Sequence, residues 1–465
     1  MNFLIVLAAL AFLMFVAYRG YSVILLAPVT AMGAVLLTDP RLVAPMFTGL
    51  FMDKMVGFVK LYFPVFLLGA VFGKVIELSG FSRAIVSSII SLVGAERAIL
   101  SIVIVSAVLT YGGVSLFVVV FAVYPFAAEL FKHGGIPKRL IPGTIALGAF
   151  SFTMDALPGT PQIQNIIPTA FFKTDVYAAP WLGTIGAVYI LVVGVIYLDW
   201  RRRRARVAGE GYGTHLLNEP EPFDHVKQAH PAIAILPLIL VGVVNKLFTI
   251  AIPRFYGPSV SFIPAATGET APVVQDVSKV AAVWAVEGAL LVGILSIFLL
   301  AWRPVTRRFA EGAKSAVTGA LLASMNTASE YGFGAVIAAL PGFLAIADAL
   351  KSVPHPLVNE AVTTTTLAGI TGSASGGLSI ALAAMSGTFV ENAQRVGIPL
   401  EVCHRVAAMA SGGMDTLPHN GAVITLLAVT GLTHRQAYSD IFAITVIKTS
   451  AVFVIVCLYE VTGIV

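Results

Sequence analysis

"SFTMDALPGTPQ", residues 151–162, sets an aspartate, two prolines and a glycine inside an apolar run, and "SGGMDTLPHNGA", residues 411–422, repeats its Met-Asp-x-Leu-Pro core. Proline lacks the backbone donor a helix interior needs, so each stretch reads as a helix that stops and restarts. The restart has its own chemistry: Thr160-Pro161 reads as an N-cap followed by proline at the first helical position, and Asn420 is the matching N-cap in the second stretch. Two half-helix N-termini would then point into the protein, each offering unpaired N–H groups and the positive end of a dipole. Such an end suits a carboxylate.

Water is not the solvent for most of this chain. Of its 465 residues, 58 % are hydrophobic and 11 % charged, and the mean hydropathy is +0.91, the balance of an integral membrane protein. Crossing the hydrocarbon takes roughly 20 apolar residues, and such runs recur at 2–17, 21–38, 178–199, 231–251, 278–302 and 440–459. β-Barrels lack runs of this kind, so helices are the spanning element. The first run has no basic segment before it and no cleavage pattern after it, and reads as a retained helix. The net charge of +5 fits basic cytoplasmic loops and gives no ground for a nucleic-acid partner. Cys403 and Cys457 lie in apolar surroundings and promise neither a disulfide nor a metal cluster, and no cofactor motif is present.

The arginine run after Trp200 opens the long polar segment 200–230, which the positive-inside rule makes cytoplasmic. "WRPVTRR", 302–308, ends another span in the same way, so the loop at 252–277 between the two spans lies outside. Four short matches recur in order on either side of the linker: Phe72-Gly-x-Val-Ile with Phe333-Gly-x-Val-Ile, "GGVSL" at 112 with "GGLSI" at 376, "GIP" at 135 and 397, and "MDALP" at 154 with "MDTLP" at 414. Their offsets are 261, 264, 262 and 260, which points to duplication. The loop around the first GIP is basic and that around the second is balanced by Glu391 and Glu401, so the copies are expected to be inverted.

The fold expected is an all-α polytopic membrane protein of two inverted-topology repeats, with about ten crossing helices, two re-entrant hairpins and broken helices at the bilayer midplane. Residues 1–200 form the first repeat, 201–230 a cytoplasmic linker and 231–465 the second. The hairpins fall at 97–131 and 358–394, and the broken helices at 138–172 and 400–431. Both termini are then periplasmic.

Asp155 and Asp415 stand at the breaks, where an acid able to pass between neutral and charged states serves cation coupling. Ser115, Thr160, Gln162 and Asn165 in the first copy, and Ser379, Thr416, His419, Asn420 and Thr425 in the second, are the candidate substrate ligands. For each there is a plainer role: the aspartates can cap loop backbone, and Gln162 and Asn165 can glue helices. "SMNTASEYG", 324–332, reads as a further polar interruption containing Glu330. Few cations are legible at depth, so dipoles, amides and hydroxyls are expected to bind the anion, which favours one carboxylate over several.

These residues suit a secondary transporter turning about a central site, and the chain has no P-loop for direct ATP coupling. An intramembrane aspartyl protease would need the two aspartates within hydrogen-bond reach as a dyad. A channel would show charge rings or a filter, and neither is legible. Sodium-coupled transport of citrate or another organic acid is the alternative within the transporter class. With "LTYGGVSLFVVVFAVYPFAAELF", "MDALPGTPQIQN", "GSASGGLSIAL" and "SGGMDTLPHNGAVITLL", the whole chain resembles the gluconate permease (GntP) family of the ion transporter superfamily, especially members associated with 3-hydroxybutyrate. The resemblance implies no enzyme but proton-coupled symport of a small organic carboxylate, 3-hydroxybutyrate or gluconate, across the bacterial inner membrane. It also implies a homodimer with a scaffold domain and a moving transport domain.

Overall fold

Most of the chain is helix, and the apolar stripes of those helices either pack inward or face lipid. The computed structural model describes residues 2–19, 21–94, 97–114, 116–214, 217–219, 229–263, 272–343, 355–418 and 420–465. In chain order the first half runs through α1 (Asn2–Tyr18), α2 (Val23–Thr38), the long α3 (Pro40–Leu78, with a π-helical turn at Met46–Phe51) and α4 (Phe81–Val93). It continues with α5 (Ala98–Tyr111), α6 (Leu116–His133), α7 (Ile141–Ala149), the single turn α8 (Phe152–Asp155), α9 (Ile163–Phe172) and α10 (Pro180–Val207).

The second half starts with α11 (Pro231–Tyr256), α12 (Ala281–Leu300) and the 38-residue α13 (Trp302–Ala339). Then follow α14 (Pro356–Thr371), α15 (Ala374–Val396), α16 (Leu400–Ser411), α17 (Gly421–Thr430) and α18 (His434–Thr462). Between α11 and α12, inside the segment expected as a plain outer loop, β1 (Ser259–Phe262) and β2 (Val273–Asp276) pair antiparallel, with Ser259 opposite Asp276 and Phe262 opposite Val273. Helix α13 carries 324–332 without a break, so the polar interruption expected there is a polar stripe on a continuous helix. Its hydroxyls face neighbouring helices instead of ending the hydrogen-bond ladder.

Local chemistry sets the ends. Proline opens α10, α11 and α14, where its missing N–H costs nothing. Helix α18 starts on a capping box, Thr433 with Gln436. The turn of the second hairpin needs a left-handed residue, which Gly372 supplies at φ 64°.

Among the described residues, five helical spans are long and apolar enough to cross a bilayer: Pro40–Leu78, Pro180–Val207, Pro231–Tyr256, Ala281–Leu300 and His434–Thr462. On α10, Ile185, Val188, Val192 and Ile196 are all exposed. Their spacing of three and four residues makes one apolar outer stripe suited to a lipid surrounding. The protein is a polytopic helical membrane protein, all-helical among the described residues apart from that small ribbon.

Packing sorts the helices. Helix α3 lies along α13, α12 and α2 pack on that pair, and α11 and α1 join through α12 and α2. Within the other group α5 pairs with α6 and α14 with α15 as antiparallel hairpins, while α9 rests on α15 and α17 on α6. Each restarted half-helix therefore packs on the hairpin of the opposite half of the chain. Helices α10 and α18 run together, and α18 also contacts α7 and α16, bringing both breaks onto one wall.

Candidate functional site

The first break is a double one. Helix α7 ends at Ala149, one helical turn carries Phe152–Asp155, and residues 156–162 then cross without helix before α9 begins at Ile163. In the second break α16 ends at Ser411, so Asp415 lies in the turn and not at a helix end. Asp155 (2 % exposed) and Asp415 (7 %) are both buried. Asp155 lies so close to Gly412 that a Cβ there would overlap its carboxylate. It is also within electrostatic reach of Asp415, Lys448 and Arg405. The two breaks form one centre.

That centre contains two cations the sequence did not announce. Lys448, on α18, forms a close ion pair with Asp415 and donates to the Phe150 carbonyl at 3.0 Å. Arg405, on α16, is fully buried and spreads its fork over three acceptors. Nε and Nη2 donate to the Ala178 carbonyl (3.2 and 2.7 Å), and Nη1 donates to the Asp155 carbonyl and to Asn165 Oδ1 (both 3.0 Å). Buried cations thus stand beside the dipoles, amides and hydroxyls expected to bind the anion. A lone lysine in the apolar run 440–459 and a lone arginine ahead of the second break were the available signals.

Several predicted ligands turn out to be framework. Thr160 does not cap α9: its hydroxyl donates to the Thr153 carbonyl at 2.7 Å, and Gln162 holds the N-cap position without a side-chain cap bond. The backbone stays extended through Gln162 (ψ 146°), which moves the helix start beyond Thr160-Pro161. Asn165 is fully buried in the interior of α9, where it donates to the carbonyls of Thr160 and Val176 and takes Arg405 and His404 Nε2 (3.2 Å) on Oδ1. His404 Nδ1 meets the Thr174 hydroxyl at 2.6 Å. Thr425 bonds its own helix at the Gly421 carbonyl, and Thr416 pairs with Thr445 across a 2.6 Å hydroxyl contact.

Asn420 caps α17 as expected, its Oδ1 accepting from the N–H groups of Ala422 (2.6 Å) and Val423 (3.0 Å). That half-helix end is already occupied by its own cap, so it does not offer those two donors to a substrate. Its amide also donates to the Gly372 carbonyl at the tip of the second hairpin (2.7 Å), and Gln162 donates to the Thr110 carbonyl at the end of α5 (2.7 Å). The same strut thus joins break to hairpin in both halves. Ser379 is buried with its hydroxyl unpartnered. Ser115 and His419 lie outside the described residues.

A cavity of about 780 Å³ leads toward this centre from the side of the β ribbon. Lys173, Asp175, Lys246 and Glu401 line it, with Lys246 Nζ 4.2 Å from the centre of the Tyr177 ring. Its floor includes Ala178, whose carbonyl holds Arg405, and Thr174, which holds His404. Its lining is charge-balanced, with two lysines and two acids, and the buried Arg405 lies behind Ala178.

At the opposite end the linker is tied down. The Lys138 ammonium, 1 % exposed, donates to the Leu217 carbonyl and pairs with Glu219, both at 2.6 Å, and Asn218 donates to the Ala428 carbonyl at the end of α17 (2.8 Å). Nearby, the hydrogen bonds from Arg139 hold the Glu210 carboxyl below the usual carboxylate range.

Broken helices from two halves of one chain, meeting over buried charges in a lipid-facing helical body, define a membrane transporter. The comparisons agree: the chain belongs to the family of the uncharacterized transporter YxjC of Bacillus subtilis (strain 168), to which it is 60 % identical over the full length of both. No family model matches the chain. Among solved structures it is similar to the Alcanivorax borkumensis YdaH transporter, with a TM-score of 0.53 at 12 % identity over 92 % of this chain and 90 % of that one. It is also similar to Neisseria gonorrhoeae MtrF, of a class of antimetabolite efflux pumps, with a TM-score of 0.51 at 15 % identity over 91 % and 85 %. At such identities the likeness is one of fold.

Proposed function

We propose that this transporter imports a small hydroxymonocarboxylate, of the size range of 3-hydroxybutyrate or gluconate, together with a proton across the bacterial inner membrane. The observation that carries it is the charge balance of the centre. Lys448 and Arg405 are offset by Asp155 and Asp415 when both acids are ionised. A monocarboxylate entering this low-dielectric site adds one negative charge, which the surroundings stabilise poorly. A proton taken up with it restores neutrality. Asp155 is the acceptor, because Asp415 is committed to Lys448 while no side-chain hydrogen bond or ion pair holds the Asp155 carboxylate among the described residues.

The route fits the direction. The cavity opens beside the 252–277 segment, which the positive-inside rule, applied to the arginine runs of α10 and α13, puts outside. Both termini are then periplasmic. The six helices α1, α2, α3, α11, α12 and α13 serve as the scaffold through which two copies pair, and the hairpins with the broken helices move against it, in two inverted repeats about the linker at 201–230. An efflux direction, as for the MtrF class, would run the same site in reverse.

The test is uptake of labelled 3-hydroxybutyrate and gluconate into proteoliposomes under an inward proton gradient without sodium. Wild type should accumulate one of them, and Asp155→Asn should lose accumulation while keeping substrate exchange. Accumulation that needs sodium and ignores the proton gradient would refute proton coupling. No uptake of either acid under both gradients would refute the substrate class.

A further inference from the structure

Buried acids also lie outside the central charges, Glu360 and Asp440 among them, and one further acid presses on a hairpin tip. Glu330, on α13, is 4 % exposed, and its Oε2 has no hydrogen-bond partner. It presses on the first turn of α15, where a Cβ at Gly376 would overlap Oε2, so glycine is the residue that lets the carboxyl reach the backbone there. Hydroxyls surround the contact. Thr327 Oγ1 lies 3.2 Å from Ser375 Oγ, and Ser373 Oγ lies 3.5 Å from Ser375 Oγ and accepts from the Gly376 N–H at 3.0 Å, capping α15. Further along the same two helices, Ser324 and Ser379 are buried with unpartnered hydroxyls.

No charge answers this carboxylate among the described residues. Helix α2 and the π-helical turn carry no titratable group. On α3, Asp53, Lys54 and Lys60 are exposed, and the buried Tyr62 donates to the Ile167 carbonyl. Glu391 and Arg395 stand at the far end of α15, Glu287 lies on α12, and neighbouring Tyr331 packs on Phe58 and Phe171. None of them forms an ion pair or hydrogen bond with Glu330. At the repeat offset of 261 residues the first half has Gly69, so the feature belongs to the second half alone.

We propose that Glu330 is a proton-binding site that controls how the second hairpin packs against α13. A carboxyl held this way has two stable states. Ionised, it has the positive N-terminal end of α15 as its counter-charge and draws the hairpin tip against α13. Protonated, it is a neutral donor whose O–H reaches a neighbouring hydroxyl oxygen, and the electrostatic hold on the tip is released. The hairpin tip is also the end of the Asn420 strut, so its release is felt at the second break. The use of this proton in a transport cycle rests on the proton coupling proposed above; its binding does not.

The test needs no substrate. Infrared difference spectra between acid and neutral pH are recorded on the protein in lipid, for wild type and Glu330→Gln, with hydrogen exchange of the amides at 372–378 measured at both pH values. Wild type should show a protonated-carboxyl band that diminishes by one carboxyl's worth in Glu330→Gln, and tip protection, corrected for the intrinsic pH dependence of amide exchange, that falls at acid pH in wild type but is independent of pH in the variant. An undiminished band, or tip exchange with the same pH response in both, overturns the proposal. Should Glu330→Gln not fold, Glu330→Asp, which withdraws the carboxyl from Gly376, must shift the band's titration midpoint, and an unshifted midpoint overturns it equally. Failure of hydroxy-acid uptake leaves both readouts intact, so the two proposals fail separately.

Discussion

Replacing Lys448 with methionine isolates the energetics of the centre. Methionine fills much of the lysine stem, so the packing of α18 is kept while the ammonium goes. Asp415 is then left 7 % exposed with no cation in contact, and the Phe150 carbonyl loses its donor. Breaking a buried pair from one side costs about 3–5 kcal/mol, and the lost hydrogen bond to Phe150 adds about 1 kcal/mol. Removing both charges leaves no orphaned ion. Asp415→Asn combined with Lys448→Met should therefore lie within about 1–2 kcal/mol of wild type, with a coupling energy near the top of the usual range for contacting residues. Reversible unfolding in lipid bicelles, followed by steric trapping, measures each corner of the cycle. The reasoning is refuted if Lys448→Met alone lies within about 0.5 kcal/mol of wild type, or if the double variant is no more stable than Lys448→Met.

Asn420→Ala removes a cap that serves two N–H groups and a strut to Gly372, and should cost about 1–2 kcal/mol in the same unfolding assay; a loss below about 0.3 kcal/mol would show that water replaces the cap. Gly412→Ala is conformationally permitted at φ −77° but drives a methyl into the Asp155 carboxylate, so gradient-driven uptake should fall at least tenfold, equivalent to about 1.4 kcal/mol. Wild-type uptake by Gly412→Ala would mean that Asp155 is free to move away from the second break.

Much of the architecture was legible because it rests on local rules. The apolar runs, the proline and glycine at each break, and the glycine-rich tip at 372–377 leave their mark within a few residues. Asn420 was legible for the same reason, since a cap bonds to N–H groups two and three residues ahead. Thr160 misled because its neighbourhood is closed by distant backbone. The Gly159 N–H donates to the Val176 carbonyl at 2.8 Å, and Pro161 lies against Gly113, which holds the strand extended until Gln162. Lys448 was missed for a different reason. It sits 33 residues from Asp415, inside a helix whose average hydropathy hides one charge, and a buried cation declares itself only through its partner.

The two halves share a frame but not a charge pattern. Gln162 to Thr110 and Asn420 to Gly372 are the same strut, and α9 on α15 mirrors α17 on α6. Yet Arg405, Lys448, Asp415 and Glu330 all come from the second half, while the first contributes Asp155 and the acceptors at Asn165 and Ala178. Matching struts favour equal and opposite motions of the two hairpins, because each break is tied to its own tip and leans on the other's. In the cycle proposed above, a proton at Asp155 acts on the first half and one at Glu330 on the second, and each change passes to the other half through the crossed contacts of half-helix and hairpin.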